Sequence, residues 1–441
     1  MSKFGYISLL VLLPMLGFAQ QKGNNAALLH RAQSALTKVI VHDIFSPPVA
    51  SRIYLYASVA AYEAALPAQK QYVSLSASLN SFPVIPQPVT KAPVNYELAS
   101  VYAFMKTARR FVFSEAALDD SLQVLLKKYA GVGKQTMDAS LVFGQRVADS
   151  VIAWSDSDGY KASRKLRRYN LIRDSGKWLP TAPGYMAAVE PHWSKMRTVA
   201  LDSAGECKPL PPPQFSALQT SLFYRQAMEV YQSHKTMTAE QKAIALFWDC
   251  NPFFLNVQGH LNFATKKLSP GGHWMSIAAI AARKKNADLA TSAAAYVLTA
   301  VALYDGFISC WEEKYRSNLI RPETYINAYI DEQWRPLLQT PPFPEYTSGH
   351  SVISNAAAVV LTHFFGADFS FDDDTETGYG LPIRSFRSFD AAAKEAAISR
   401  LYGGIHYRAA VENGQVQGQK IGEKVLQKIK LNGPAKLAAH H

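Results

Sequence analysis

Three short stretches in the last third of the 441-residue chain carry residue types suited to holding and protonating an oxyanion. Lys314 and Arg321 stand seven residues apart, with Pro322 directly after the arginine. On one continuous helix seven residues advance roughly 700 degrees, so the two cations share a face two turns apart. Pro322 disfavours helix at Arg321 and so turns its guanidinium back toward the same point. The second stretch is Tyr346-Thr347-Ser348-Gly349-His350, followed by Val352, Ile353, Ala356, Val359 and Val360 at helical spacing. A helix N-terminus has unpaired N–H groups and a positive dipole end, so the Ser348 hydroxyl and the Gly349 N–H form an anion seat. His350, beside that seat, is placed to give or take a proton. The third stretch runs Ser399-Arg400-Leu401-Tyr402-Gly403-Gly404-Ile405-His406. Arg400 and His406 fall on different faces of a continuous helix, but Gly403 and Gly404 can end the helix and reverse the chain, pointing both at one spot. Taken singly, each stretch has an ordinary explanation as solvated cations, a plain serine cap or a hydrogen-bonded core histidine. Together they supply three permanent cations, a helix-terminus seat and two histidines, a set that fits a tetrahedral or trigonal-bipyramidal oxyanion.

The elements that must position these residues are helical almost throughout. Apolar residues recur at helical spacing over Asn24 to Phe45, Ser51 to Ala65, Val94 to Phe113, Gln135 to Trp154 and Thr238 to Trp248. They do so again over Trp274 to Arg283, Ala287 to Asn318, Ser348 to Phe365, Phe389 to Tyr402 and Ala410 to Leu431. No alternation of period two extends beyond a few residues, so strands are minor and the fold class is all-α. Pro-rich connections lie at Ser76 to Pro93, Pro209 to Pro213 and Pro336 to Pro344. The middle one divides an N-terminal helical half, residues 20–235, from a C-terminal helical bundle, residues 236–435, that bears the site.

Composition bounds the partners. The chain is 48% hydrophobic and 18% charged, an ordinary globular profile that excludes disordered, collagenous and coiled-coil arrays. A formal net charge of +12 favours an anionic partner. The basic run Lys161 to Arg173 has no aromatic interleaving or groove-reading motif, so it reads as a solvated surface and nucleic acid is not expected. Residues 1–19, with Lys3 before an apolar run ending in Gly17-Phe18-Ala19, read as a removable secretory signal, which predicts an exported, periplasmic or secreted protein. The uncharged stretches Gln71 to Thr90 and Tyr346 to Ala367 are broken by prolines or carry histidines, so no integral membrane span is expected in the mature chain. Cys207, Cys250 and Cys310 match no metal or redox spacing, allow one disulfide at most and suggest no thiol chemistry. The tail Lys436 to His441 reads as a frayed end.

The pattern Lys314-x6-Arg321-Pro322, Ser348-Gly349-His350 and Ser399-Arg400-x5-His406 resembles the vanadium-dependent haloperoxidase and type 2 phosphatidic acid phosphatase superfamily. Segment 46–54, Ser-Pro-Pro-Val-Ala-Ser-Arg-Ile-Tyr, resembles the exported bacterial haloperoxidase-like branch more loosely. The resemblance implies helical bundles of the vanadium haloperoxidase type, with the active site at the end of a C-terminal four-helix bundle. It implies vanadate as cofactor, with phosphate able to occupy the same site, and hydrogen peroxide and halide as substrates giving a hypohalous acid. His406 would be the metal ligand. Lys314, Arg321 and Arg400 would neutralise the oxyanion, Ser348 and Gly349 would hydrogen-bond it, and His350 would be the acid–base group. Trp311 and Phe343 match an aromatic pair that could wall a halide site, with iodide or bromide the favoured halide. Small organic substrates and homo-oligomers also fall within what the resemblance implies.

The phosphatase pattern commonly places Asp four residues after the last histidine, where it fixes the ring's tautomer. Here that position is Ala410, which leaves Glu412 or a backbone carbonyl to orient His406. Two other readings stay open: a soluble exported acid phosphatase using a phosphohistidine at His406, and a catalytically idle oxyanion-binding protein, against which intact His350 and His406 count.

Overall fold

The structure is a computed structural model that describes residues 26–258 and 261–431; the expected signal at 1–19 and the tail at 436–441 lie outside the described residues. Fourteen α-helices account for most of these residues. The N-terminal part contains α1 (Ala27–His42), α2 (Pro47–Ala65), α3 (Tyr96–Arg109), α4 (Glu115–Leu126), α5 (Lys134–Ser155) and the single turn α6 (Tyr160–Ser163). The remainder contains α7 (Leu222–Lys235), α8 (Ala239–Phe247), α9 (Pro270–Lys284), α10 (Leu289–Ser317), α11 (Pro322–Tyr329), α12 (Gly349–Phe365), α13 (Phe389–Tyr402) and α14 (Arg408–Lys428). Strands are confined, among the described residues, to two antiparallel hairpins: β1 (Leu255–Gln258) with β2 (Leu261–Ala264), and β3 (Phe371–Asp373) with β4 (Arg384–Phe386).

Local chemistry sets the helix starts. Ser46, Asn95, Ser221, Ser269, Asp288, Ser348 and Ser388 each accept a backbone N–H from the first turn of the helix they precede. Thr238 and Gln241 form a reciprocal capping box on α8. Three helices of eight residues or more, α4, α7 and α11, were not expected, because charged and polar residues interrupt their apolar faces. α11 changes the geometry of the first cluster. α10 ends at Ser317, with Asn318 in the left-handed conformation, and Pro322 is the first residue of α11 rather than a stop after α10. Lys314 and Arg321 therefore do not share a helix face: the lysine sits in the last turn of α10 and the arginine is the residue preceding α11.

Helices α10, α12, α13 and α14 pack on one another as a four-helix bundle, and α10 also packs against α2, tying the bundle to the helices α1–α5. One hydrophobic cluster runs from Leu29 to Leu431 across both halves. α12 is apolar on nearly every side because four helices, α9, α10, α13 and α14, pack on it; Val352, Ile353, Val360 and Leu361 are all 0% exposed, each such burial contributing about 1.5–3 kcal/mol. α10 is long and apolar enough to cross a membrane by length and composition, but its most apolar 18-residue stretch is entirely buried inside the protein.

α14 approaches α12 along a glycine stripe, Gly414, Gly418 and Gly422, one every fourth residue. A Cβ at Gly418 would stand 2.1 Å from the Val352 carbonyl oxygen, and one at Gly422 would stand 2.7 Å from Val359 Cβ. Backbone contact at this seam sets how closely the N-termini of α12 and α14 approach. Gly418→Ala should therefore destabilise the protein by about 1–3 kcal/mol through overpacking, although alanine is the better helix former by about 1 kcal/mol. Thermal unfolding of the variant checks this: a raised midpoint would contradict the close approach.

Candidate oxyanion site

The C-terminus of α10, the N-terminus of α12, the C-terminus of α13 and the N-terminus of α14 come together at one end of the bundle. A cavity opens there. Gly349, His350, Arg400 and His406 line it, with Trp311, Phe307, Phe343 and Ile405 as apolar wall and Asp249, Cys250, Asn251 and Gln339 at its edge. Gly404, at φ 77°, makes the reversal between Arg400 and His406 that the glycine pair implied.

His406 is held from both sides. Its Nδ1 lies 2.8 Å from Glu345 Oε1, which also accepts the Tyr407 N–H at 3.0 Å. Its Nε2 lies 3.2 Å from Arg321 Nη1. A guanidinium can only donate, so Nε2 is the acceptor and Nδ1 carries the proton donated to Glu345. Burial, reinforced by Arg321, Lys314 and Arg400, holds the imidazole well below its usual pKa, so the ring is neutral with its Nε2 lone pair available. Glu345 therefore orients His406, not Glu412, which stands on α14 and pairs with Arg408. Burial pushes the Glu345 carboxyl up to about 7 against the pull of Arg321 and Lys314.

Arg321 is fully buried, donating through Nε to the Phe343 carbonyl and through Nη1 to the Ile405 carbonyl, each at 2.9 Å. Its Nη2 has no protein partner. Arg400 donates to Ser399 Oγ at 2.9 Å and lines the cavity. Lys314 is also fully buried, but its ammonium donates to the carbonyls of Pro344, Glu345 and Thr347 at 3.0, 2.9 and 2.5 Å. All three of its N–H groups are thereby satisfied. The lysine brings charge and braces segment 344–347, and it extends no N–H into the cavity. Burial lowers the pKa of Lys314 to about 8, that of Arg321 to about 10, and that of Arg400 below its ordinary value.

Ser348 caps α12 by accepting the Ser351 N–H at 3.3 Å, and its own N–H is taken by the Ala410 carbonyl at 3.0 Å. Ser348 is fully buried and does not line the cavity, whereas Gly349 does. A Cβ at Gly349 would meet only the Trp311 ring, at 3.8 Å, so the cavity side of this residue is open. The His350 ring hydrogen-bonds the Trp248 backbone, while its Nε2 is buried without a partner. Burial, with Arg400 and His273, holds His350 well below the usual imidazole range. Trp311 and Phe343 pack with ring centroids 4.9 Å apart, and Lys314 Nζ and the Arg321 guanidinium lie 5.2 and 5.1 Å from the Phe343 centroid.

Three buried cations thus stand near two buried carboxylates, Glu345 bonded to His406 and Asp249 bonded to Lys267, with unpartnered polar atoms at Arg321 Nη2, His350 Nε2 and Glu345 Oε2. Glu345 was the residue missed by reasoning from sequence. Its signal is that it is the one acidic residue between Arg335 and Asp368, in a stretch otherwise without a permanent charge.

Comparison with known proteins agrees with this geometry. Residues 294–432 match the family model for the second helical-bundle domain of vanadium chloroperoxidase. The solved structure of a bacterial vanadium-dependent iodoperoxidase is 49% identical, with a TM-score of 0.88 over 93% of this chain and 98% of that one. The holo and apo forms of a bacterial vanadium-dependent chloroperoxidase each share 16% identity and a TM-score of 0.66. They cover 88% and 87% of this chain, and 93% and 94% of theirs, and share the fold. No curated protein matches. By its extent of identity to the iodoperoxidase over nearly the whole of both chains, this protein belongs to the vanadium-dependent haloperoxidase family.

Proposed function

We propose that the chain oxidises iodide with hydrogen peroxide to hypoiodous acid, using vanadate held at the end of the α10–α12–α13–α14 bundle. The observation that carries this reading is the buried, neutral His406, whose Nε2 lone pair is turned toward Arg321 at 3.2 Å, among two arginines and a lysine. The residues present fit vanadate. Arg321 Nη2 is an unpartnered buried donor, the cavity side of Gly349 is open, and three buried cations outnumber the carboxylates Glu345 and Asp249 near them.

His406 Nε2 would be the nitrogen ligand. Arg321, Arg400 and the Gly349 N–H would hold the oxygens, with Ser348 fixing the helix terminus that presents the glycine. Lys314 would act by charge, since its N–H groups are bonded to backbone. Vanadate, when bound, supplies the Lewis acid that activates peroxide toward halide attack without change of the metal's oxidation state. The chain supplies preorganised positive charge that need not rearrange as peroxide replaces water. His350 Nε2 would accept a proton from incoming peroxide and return it to the departing water, which its low pKa and unpartnered position support. Trp311 and Phe343 would wall the halide. Iodide, weakly hydrated and the easiest halide to oxidise, suits this apolar surface best, and the iodoperoxidase relative supports the same choice.

Purified protein assayed with orthovanadate, peroxide and each halide should turn over iodide most efficiently. Hydrolysis of a phosphomonoester in the absence of vanadate, with no halide oxidised, would overturn the assignment in favour of a phosphatase. His406→Ala should lose vanadate retention altogether. His350→Ala should retain vanadate while kcat falls about 10²–10⁴-fold, and an equal loss of binding in both would show the roles to be misassigned. Glu345→Gln keeps an acceptor for Tyr407 N–H but removes the carboxylate behind His406, so vanadate affinity should fall about 10–100-fold; unchanged affinity by equilibrium dialysis would dismiss Glu345 as the orienting group.

A further inference from the structure

A second cluster of ligand-type side chains lies beside the cavity and takes no part in the chemistry above. Cys250 follows α8, His273 stands in the first turn of α9, and Glu376 lies just past β3. All three are buried, at 2%, 0% and 7% exposure. Cys250 Sγ is 3.5 Å from His273 Nδ1 and 3.8 Å from Glu376 Oε1, and His273 Nδ1 is 3.2 Å from Glu376 Oε1. A point equidistant from the three atoms lies about 2.0 Å from each, and a small displacement out of their plane lengthens this to the 2.0–2.3 Å of zinc bonds to oxygen, nitrogen and sulfur.

The surroundings are those of a ligand set. His273 Nε2 is 2.7 Å from Asp373 Oδ2, the carboxylate–histidine arrangement that fixes which ring nitrogen faces a metal. The ring is stacked on Trp248, with centroids 4.5 Å apart at 22°, so it cannot swing away. Cys250 lines the oxyanion cavity, which gives an ion a route in. Thiolate, imidazole and carboxylate together suit zinc better than magnesium or calcium, which prefer all-oxygen sites.

We propose that Cys250, His273 and Glu376 form a zinc-type divalent-cation site, with Asp373 orienting His273 and a fourth position left for water or an anion. The ion would join three segments distant in sequence: the loop after α8 that edges the oxyanion cavity, α9, and the β3–β4 connection. No local spacing betrays it, because the ligands are 23 and 103 residues apart. The proposal does not depend on vanadate binding.

Cobalt reports the site directly, because a Cys ligand adds a thiolate-to-cobalt charge-transfer band that exposed histidines cannot produce. The full-length protein, stripped with chelator and titrated with Co²⁺ without vanadate, should bind one ion with that band and with intense tetrahedral visible bands. Zinc should displace the cobalt and raise the unfolding midpoint. Cys250→Ser should abolish the charge-transfer band, whereas Cys207→Ser, at a buried thiol elsewhere, should keep it. Asp373→Asn, which leaves every ligand in place, should weaken cobalt binding about 10–100-fold, so the proposal stays testable if Cys250→Ser fails to fold. Absence of the band in the wild type, or its persistence in Cys250→Ser, would overturn the site and leave an imidazolium held between two carboxylates.

Discussion

Arg321, Arg400 and Lys314 are held out of water at one end of a helical bundle, with Glu345 behind His406 and Asp249, which pairs with Lys267, as the carboxylates at the cavity. Buried charge without compensation is costly, and the lowered pKa values of all three cations record that cost. Most other features of the site respond to this excess. Lys314 is tolerated because three backbone carbonyls surround its ammonium. Burial, reinforced by the cations beside it, keeps His406 neutral, so its Nε2 presents a lone pair rather than one more positive charge. Burial, with Arg400 and His273, keeps His350 neutral as well. An oxyanion completes the arrangement electrically as well as sterically.

The bundle makes this tension affordable. α12 sits among four partner helices with an almost wholly apolar surface, and the glycine stripe of α14 brings two helix backbones into contact. A rigid, close-packed support keeps four helix ends in register, so that cations which repel one another cannot relax apart. Segment 344–347 links the bundle to the site. Its carbonyls hold Lys314, its Glu345 holds His406, and it leads directly into Ser348, the cap of α12.

What could be read from the chain was local. The start of α12 at Ser348, the reversal at Gly403-Gly404 and the helices beginning at capping residues all follow from short-range rules, and the structure has them where residue chemistry places them, although the Ser348 hydroxyl caps the helix rather than lining the cavity. Contacts between distant residues could not be read. Pro322 is a strong local signal, yet it starts α11 rather than closing α10, because Asn318 already ends the longer helix. The partner of His406 comes from 61 residues away, and the carbonyls that take up Lys314 from about 30 away. Cys250, His273 and Glu376 meet only through tertiary packing. In each case the missing information was three-dimensional adjacency.

The central claim is that the site is a preformed excess of buried positive charge which only an oxyanion of suitable shape relieves. Thermal unfolding of the purified protein across an orthovanadate titration, with chloride at matched ionic strength as control, tests it most directly. A saturable rise in stability, about 2.7 kcal/mol at one hundred times the dissociation constant, specific to vanadate and absent with chloride, is the result the structure predicts. An equal response to both anions, or no response to either, would contradict it.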